Sequence, residues 1–260
     1  MPGDVDAVGL IASLILIVVA LVLSRWNRLG LESSIFTAVL RATVQLLGIG
    51  VVLAFIIDEE RSLVLSWLWV VAMAVFAARV LSRRAPEIPG LARIGLVAFG
   101  ATLAVSLAVM FGLGIFPLEA RALVPLAGMM VGNSMNASVV TARRVVEELR
   151  DKRDEVEARL ALGHPSRRAA LPYMRAALRT ALIPQIETTR AVGLVFLPGA
   201  MTGLILAGVD PFDAVLVQAA IMFLILGSVA TTTTLIAYGS VGKLFTPDHR
   251  LIRLPRPAGG

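Results

Sequence analysis

Apolar runs long enough to cross a bilayer recur along this chain, and they constrain its fold more than anything else it carries. A spanning helix needs about 20 mostly apolar residues. Such runs occupy residues 5–23, 39–57, 63–81, 94–116, 123–140, 191–207 and 214–238, with the charged residues gathered between them. Hydrophobic residues make up 57% of the chain, which excludes an ordinary soluble domain. The expected fold is all-α, a polytopic membrane protein with seven transmembrane helices in one domain over residues 1–260. The first run follows Asp4 and Asp6, not the basic start of a cleaved signal peptide, and reads as the first span.

Cytoplasmic loops carry the excess of Lys and Arg, so the basic residues set the expected orientation. Alternate connections, beginning with the N-terminus, hold Asp4, Asp6, Asp58, Glu59, Glu60, Glu119, Asp210 and Asp213, with Arg61 and Arg121 as their basic residues. All other Lys and Arg lie on or next to the opposite side. The N-terminus is therefore expected outside and the C-terminus in the cytoplasm. The net charge of +6 then reflects topology and attraction to anionic membrane lipid, with no call on nucleic acid. Cysteine is absent, which removes disulfides and thiolate metal sites.

The sixth run is unlike a plain anchor. Pro198 removes a backbone donor and breaks or kinks the helix, which lipid tolerates only where protein or water covers the freed groups. Gly199, Gly203 and Ala207 follow at helical spacing and offer a small-residue face for close helix packing. Gly128, Gly132 and Asn136 make a second such stripe on the fifth run.

Between the fifth and sixth runs, residues 143–190 carry eleven basic and seven acidic residues, too many to cross lipid. Val145, Val146, Leu149, Val156 and Leu160 recur at helical spacing, so the fifth span is expected to continue as one helix to Leu162. From Pro125 that helix would run about 57 Å at 1.5 Å per residue. Gly163 is a natural stop and Pro165 forbids continuation. Pro172 then reads as the first-turn proline of a further helix, with Arg175 and Arg179 on one face. The expected result is a cytoplasmic helical hairpin.

Glu157, Ala158 and Arg159, followed by Gly163 and then Leu171 and Pro172, resemble the EAA-type loop of ABC transporter permeases, whose short helix docks on the ATPase subunit. Arg159 departs from that pattern. The wider pattern is PLAGMMVGNSMNAS at 125–138, LALGHPSRRA at 160–169 and ALIPQIETTRAVGLVFLPGAMTGLILAGVDP at 181–211. Together these are similar to the FetB-type permease family, described as the membrane subunit of an iron-export ABC transporter and related to plant aluminium-tolerance membrane proteins. Gln185, Glu187, Arg190 and Phe196 stand where the family more often has Thr, Asp, Lys and Ser.

The resemblance implies a multi-pass permease of the cell (inner or plasma) membrane, a homodimer that binds a separate cytoplasmic ABC ATPase. It also implies ATPase coupling through Glu157, Ala158, Gly163, Pro165, Ser166, Ala169 and Ala170. The chain itself is expected to be no enzyme and to bind no cofactor, with ATP and Mg held by the partner. Its nearest approach to a Walker motif, around Gly239, Gly242 and Lys243, lacks the glycine spacing and the Ser/Thr after lysine.

For the translocation path the candidates are Asn133, Ser134, Met135 and Asn136 on the fifth run, with Pro198, Gly199 and Met201 on the sixth. The asparagines either bond neighbouring helices or pass a polar solute. Met129, Met130, Met135 and Met201 are soft ligands that would favour Cu(I) over iron, and are more often packing residues, so no metal ligands are assigned. Glu187 and Arg190, one turn apart, are expected to pair and to anchor the hairpin or gate the path. Thr231 to Thr234 have hydroxyls able to bond back to the preceding turn. Intramembrane acids are scarce, which disfavours a proton-driven carrier. A stand-alone channel or carrier, a membrane scaffold, or an ABC permease for an organic or sugar-nucleotide substrate are the alternatives.

Overall fold

The computed structural model describes residues 7–56 and 62–254, and among these the secondary structure is helical apart from turns and two isolated bridges. Asp4, Asp6 and the acidic connection Asp58 to Arg61 lie outside the described residues. The chain divides into two compact units, residues 1–61 and 62–260. Five of the described helices are long and apolar enough to cross a membrane.

The first unit holds α1 (Ala7–Trp26) and α2 (Glu32–Ile56), joined by a tight connection. Arg28 and Gly30 adopt positive φ there. The buried Ser24 hydroxyl accepts from the Leu31 amide and donates to Glu32 Oε1 at 2.9 Å, which fixes the turn between the two helices.

The second unit is built on α3 (Leu63–Arg84), α4 (Leu91–Gly112), α5 (Ala120–Asp151), α6 (Arg153–Ala161), α7 (Ser166–Ala191), α8 (Gly199–Leu206) and α9 (Pro211–Lys243). Central to it, α5 packs against α9, α3 and α7, while α4 bridges α3 and α9. Small residues on α3, Ala74, Ala77 and Ala78, are buried beside Leu81 and let the neighbouring helices close in. Two glycines mark close approaches. A Cβ on Gly95 would lie 3.1 Å from Leu81 Cδ2, and one on Gly239 would lie 2.5 Å from Ile94 Cγ2.

Those are not the glycines singled out by the sequence stripes. A Cβ on Gly132 or Gly203 would meet nothing within 4 Å, and one on Gly128 would meet only Met73 Sδ at 3.8 Å. Spacing alone puts a small residue on a helix face; which face meets a neighbour is decided by the rest of the bundle.

Polar rungs join α4 to α9 in the apolar interior. Thr232 Oγ1 donates to Thr102 Oγ1 at 2.9 Å, and one turn away Ser106 and Ser228 lie 3.3 Å apart. Thr233 and Thr234 bond back to the Val229 and Ala230 carbonyls, both at 2.7 Å, as their position in the Thr run predicts.

Two expectations for the connecting region are corrected. α5 does not run on to Leu162: it ends at Asp151, Lys152 leaves helical geometry at φ −103 and ψ 25, and α6 starts afresh at Arg153. The Arg153 guanidinium donates to the Leu251 and Ile252 carbonyls, a tie to a distant segment that holds the start of α6 off the α5 axis. Pro172 does not open a helix either. It lies within α7, exposed, while Ala169, Ala170, Tyr173, Met174 and Ala177 hold the opposite face in the core. A proline in that place removes one i to i−4 bond on the solvent side, which the packing of the other side outweighs.

The sixth apolar run is not one helix. α7 ends at Ala191, Val192 turns extended, Gly193 takes φ +84, and Pro198 caps the eight-residue α8. At 1.5 Å per residue α8 spans about 12 Å, well short of a bilayer core of about 30 Å.

Candidate functional site

The charged end of the second unit carries the most elaborate polar structure in the chain. It is assembled from the last turns of α5, all of α6, the first half of α7, and the tail that follows α9. Leu149, Val156, Ala169, Ala170, Tyr173, Leu244 and Leu251 are buried together beneath it.

The turn between α6 and α7 is a Schellman motif. Gly163 N–H donates to the Leu160 carbonyl at 2.9 Å and His164 N–H to the Arg159 carbonyl at 3.1 Å. That closure needs a left-handed residue, supplied by Gly163 at φ +84. Pro165 then caps α7, its carbonyl accepting from the Arg168 and Ala169 amides. Leu162, at 80% exposure, stands bare at the tip of the turn, beside exposed Ala158, Gly163 and Pro165.

The two arms are bonded to each other. Glu155 accepts from Lys152 Nζ through Oε1 and from the Tyr173 hydroxyl through Oε2, both at 2.9 Å. The Lys152 bond, then that of Tyr173, holds the Glu155 carboxyl below its ordinary range. Burial, then the bond to Glu155, pushes the Tyr173 hydroxyl up. Arg159 lies over the Tyr173 ring at 5.9 Å. The Arg153 to Glu157 pair at 2.6 Å is half exposed and contributes only about 0.5 kcal/mol.

The tail closes the hairpin from outside. Phe245 and Leu251 form an antiparallel bridge and are buried. His249, at φ +58, reaches Ser166 with its Nδ1, 3.1 Å from Oγ. A cavity of about 620 Å³ separates tail from hairpin, lined by Arg153, Glu157, His164, Asp248 and His249 among others. Nothing in the sequence pattern pointed to this tail, because its tie to Ser166 runs across 83 positions.

The residues expected to couple to an ATPase divide between two faces. Glu157, Ala158, Gly163 and Pro165 are exposed, and Ser166 is half-buried against His249. Ala169 and Ala170 are fully buried, so their side chains present no surface to a partner. Small size is required of them by helix packing within the chain.

The path candidates are not brought together within one chain. Asn133 and Asn136 face outward from α5, Asn133 Nδ2 donating to the Met129 carbonyl at 2.8 Å. Ser134 is buried with no partner for its hydroxyl, and Met135 is half-buried. Pro198, Gly199 and Met201 belong to the start of α8, which packs on α9. Glu187 and Arg190 pair as expected, at 2.7 Å, both exposed. Among the described residues no group of three His, Cys, Asp or Glu is placed to hold a metal ion.

Helices of bilayer length, packed through small residues and closed at one end by a charged hairpin, define a polytopic membrane protein. The chain belongs to the uncharacterised protein family UPF0014, whose model matches residues 7–245. It is 36% identical over 243 residues to the UPF0014 membrane protein STAR2 of Oryza sativa subsp. japonica, covering 93% of this chain and 84% of that one. Identity to Protein ALUMINUM SENSITIVE 3 of Arabidopsis thaliana is 33% over 242 residues, 92% of this chain and 88% of the relative. To the probable iron export permease protein FetB of Escherichia coli (strain K12) it is 31% over 245 residues, 94% of each. The resemblance carried by the three motifs is thus borne out. No solved structure matches the chain.

Proposed function

We propose that the chain is the membrane-spanning permease subunit of an ABC-type exporter, with ATP hydrolysed by a separate subunit that grips the α6–α7 turn. The observation that carries this reading is the exposed tip from Glu157 to Pro165, standing on a buried footing tied to α5, α9 and the tail. A load applied at such a tip reaches the long bundle helices through packed side chains. The sequence carries no Walker motif.

The chain crosses the cell membrane seven times in this reading, N-terminus outside and charged end in the cytoplasm, with the end of α7, the turn at 192–198 and α8 together making the sixth crossing. The distribution of Lys and Arg supports it. Two copies associate. The outward-facing Asn133 and Asn136 support this, because an asparagine on a spanning helix needs cover from protein or water. That cover, with Met201 and the break at Pro198, bounds the path, and the Glu187–Arg190 pair anchors or gates it. The cargo is iron or another metal or small solute, as the name of the Escherichia coli relative suggests. Oxygen contacts or a chelate suit these residues better than soft-ligand binding of a bare ion.

Reconstitution of the chain with an ATPase encoded beside its gene tests the proposal. ATP-dependent efflux of iron or a competing solute is expected; full transport without any nucleotide-consuming partner would sink it.

A further inference from the structure

One face of α7 carries a groove of about 1080 Å³ that is left open among the described residues. One part of its lining is cationic, with Arg159, Arg168, Arg175 and Arg179 beside His164, and the lining includes no carboxylate. Arg168, Arg175 and Arg179 are exposed and have no hydrogen-bond or ion-pair partner among the described residues, whereas Arg144, Arg150 and Arg153 are each paired with an acid. Unpaired guanidiniums along one groove repel each other, most of all Arg175 and Arg179 one turn apart, unless an anion joins them.

The groove changes character along α7. Beyond Arg179 the lining turns to Leu182, Ile183 and Ile186, with Leu171 and Leu178 beneath. Ile183 is 54% exposed, and Thr180 is the one polar residue of the lining next to it. A cationic head and an apolar continuation on one helix match an amphiphile lying along the helix, phosphate at the arginines and acyl chains against the isoleucines. An acidic protein surface would satisfy the arginines and leave the apolar wall bare.

We propose that this groove is a binding site for an anionic phospholipid, its phosphate held by Arg175 and Arg179, one turn apart on α7, and its acyl chains by Leu182, Ile183 and Ile186. The site stands beside the α6–α7 turn, Arg159 and His164 belonging to both, so an occupied groove braces that turn from the membrane side. The inference requires the membrane setting alone and is independent of ATP coupling.

The test uses the full chain in nanodiscs of equal parts phosphatidylglycerol and phosphatidylcholine, with the annular lipid retained after gentle detergent extraction measured by mass spectrometry. Phosphatidylglycerol enrichment is expected for the unaltered protein. R175Q/R179Q is expected to lower its affinity about 30-fold, from about fivefold per interfacial arginine. K243Q, a basic change outside the groove, is expected to leave enrichment intact. I183Q/I186Q is expected to weaken the phospholipid while leaving weak binding of headgroup-only glycerophosphoglycerol unchanged. Equal enrichment in R175Q/R179Q and unaltered protein overturns the proposal. So does displacement of the lipid by inorganic phosphate at comparable concentration, which would mark an ion site, or loss of ATPase binding in R175Q/R179Q with lipid enrichment kept, which would mark a protein surface.

Discussion

The Tyr173 hydroxyl donates to Glu155 Oε2 at 2.9 Å, joining the two arms of the charged hairpin across the turn at Gly163. Lys152 holds the other oxygen of the same carboxylate, so one acid links the break after α5 to the face of α7. The hairpin is thereby a braced element.

Removing that brace should loosen the hairpin in a pH-dependent way. Glu155 has its folded pKa depressed, by Lys152 first and Tyr173 second, so its contribution is present above the ordinary carboxylate range and disappears as pH falls through the lowered value. Tyr173→Phe is expected to raise amide hydrogen exchange across α6 at neutral pH. The difference from the unaltered protein should shrink once the solution is acid enough to protonate Glu155. An exchange difference that grows on acidification would contradict the assignment.

Gly163→Ala isolates backbone strain. Its Cβ would meet no neighbour, so the cost comes from φ +84 alone, about 1 kcal/mol. Thermal unfolding in detergent should show a modest fall in Tm, and Gly163→Asn a smaller one. An unchanged Tm in the alanine variant would show that the turn is not held in this form.

The proposed ATPase contact is best probed at Leu162 and Ala158, not at Ala169 or Ala170. A charge at the buried alanines would disrupt the packing of α7 and report on folding. Leu162→Glu, at a side chain 80% exposed, should leave Tm unchanged and abolish co-purification of the ATPase. Retained co-purification would remove the tip from the proposed docking surface.

How far the sequence anticipates the molecule depends on whether a feature is local. α3, α4, α5 and α9 fall on expected apolar runs, because a long run needs nothing beyond itself to define a helix. The stop at Gly163 and Pro165, the Glu187–Arg190 pair and the back-bonded threonines are equally local. The break at Lys152, inside the run expected to reach Leu162, and the continuity at Pro172 are not local, because they depend on Arg153 meeting the tail and on alanines packing under α7. The same holds for the site. Glu157 and Pro165 enter as site residues through the family resemblance and are exposed, whereas the burial of Ala169 and the docking of His249 on Ser166 are properties of the assembled bundle.

Glycine substitutions separate packing within a chain from packing between chains. Gly239→Ala sets a methyl 2.5 Å from Ile94 Cγ2, on a β-branched side chain with little rotamer freedom. Its cost should be about 1–3 kcal/mol, and combining it with Ile94→Ala should be less than additive. Gly132→Ala and Gly203→Ala meet no atom of their own chain. They should leave the isolated chain's Tm unaltered, and a shift from dimer to monomer in light scattering would place those stripes between copies.

The paired threonines offer the cleanest measure of polar bonding inside the bundle. Thr102 and Thr232 are buried, and the α9 hydroxyl donates to that on α4. Thr232→Val leaves the Thr102 hydroxyl without that donor in an apolar setting, and Thr102→Val does the reverse; each should cost about 1 kcal/mol. The double variant removes both polar groups at nearly constant volume, so it should be more stable than the sum of the single losses predicts. A double-mutant cycle on unfolding in mixed micelles would read that coupling directly. Strict additivity would mean that the two hydroxyls find other partners, and that close packing at Gly95 and Gly239 holds α4 without help from the polar rungs.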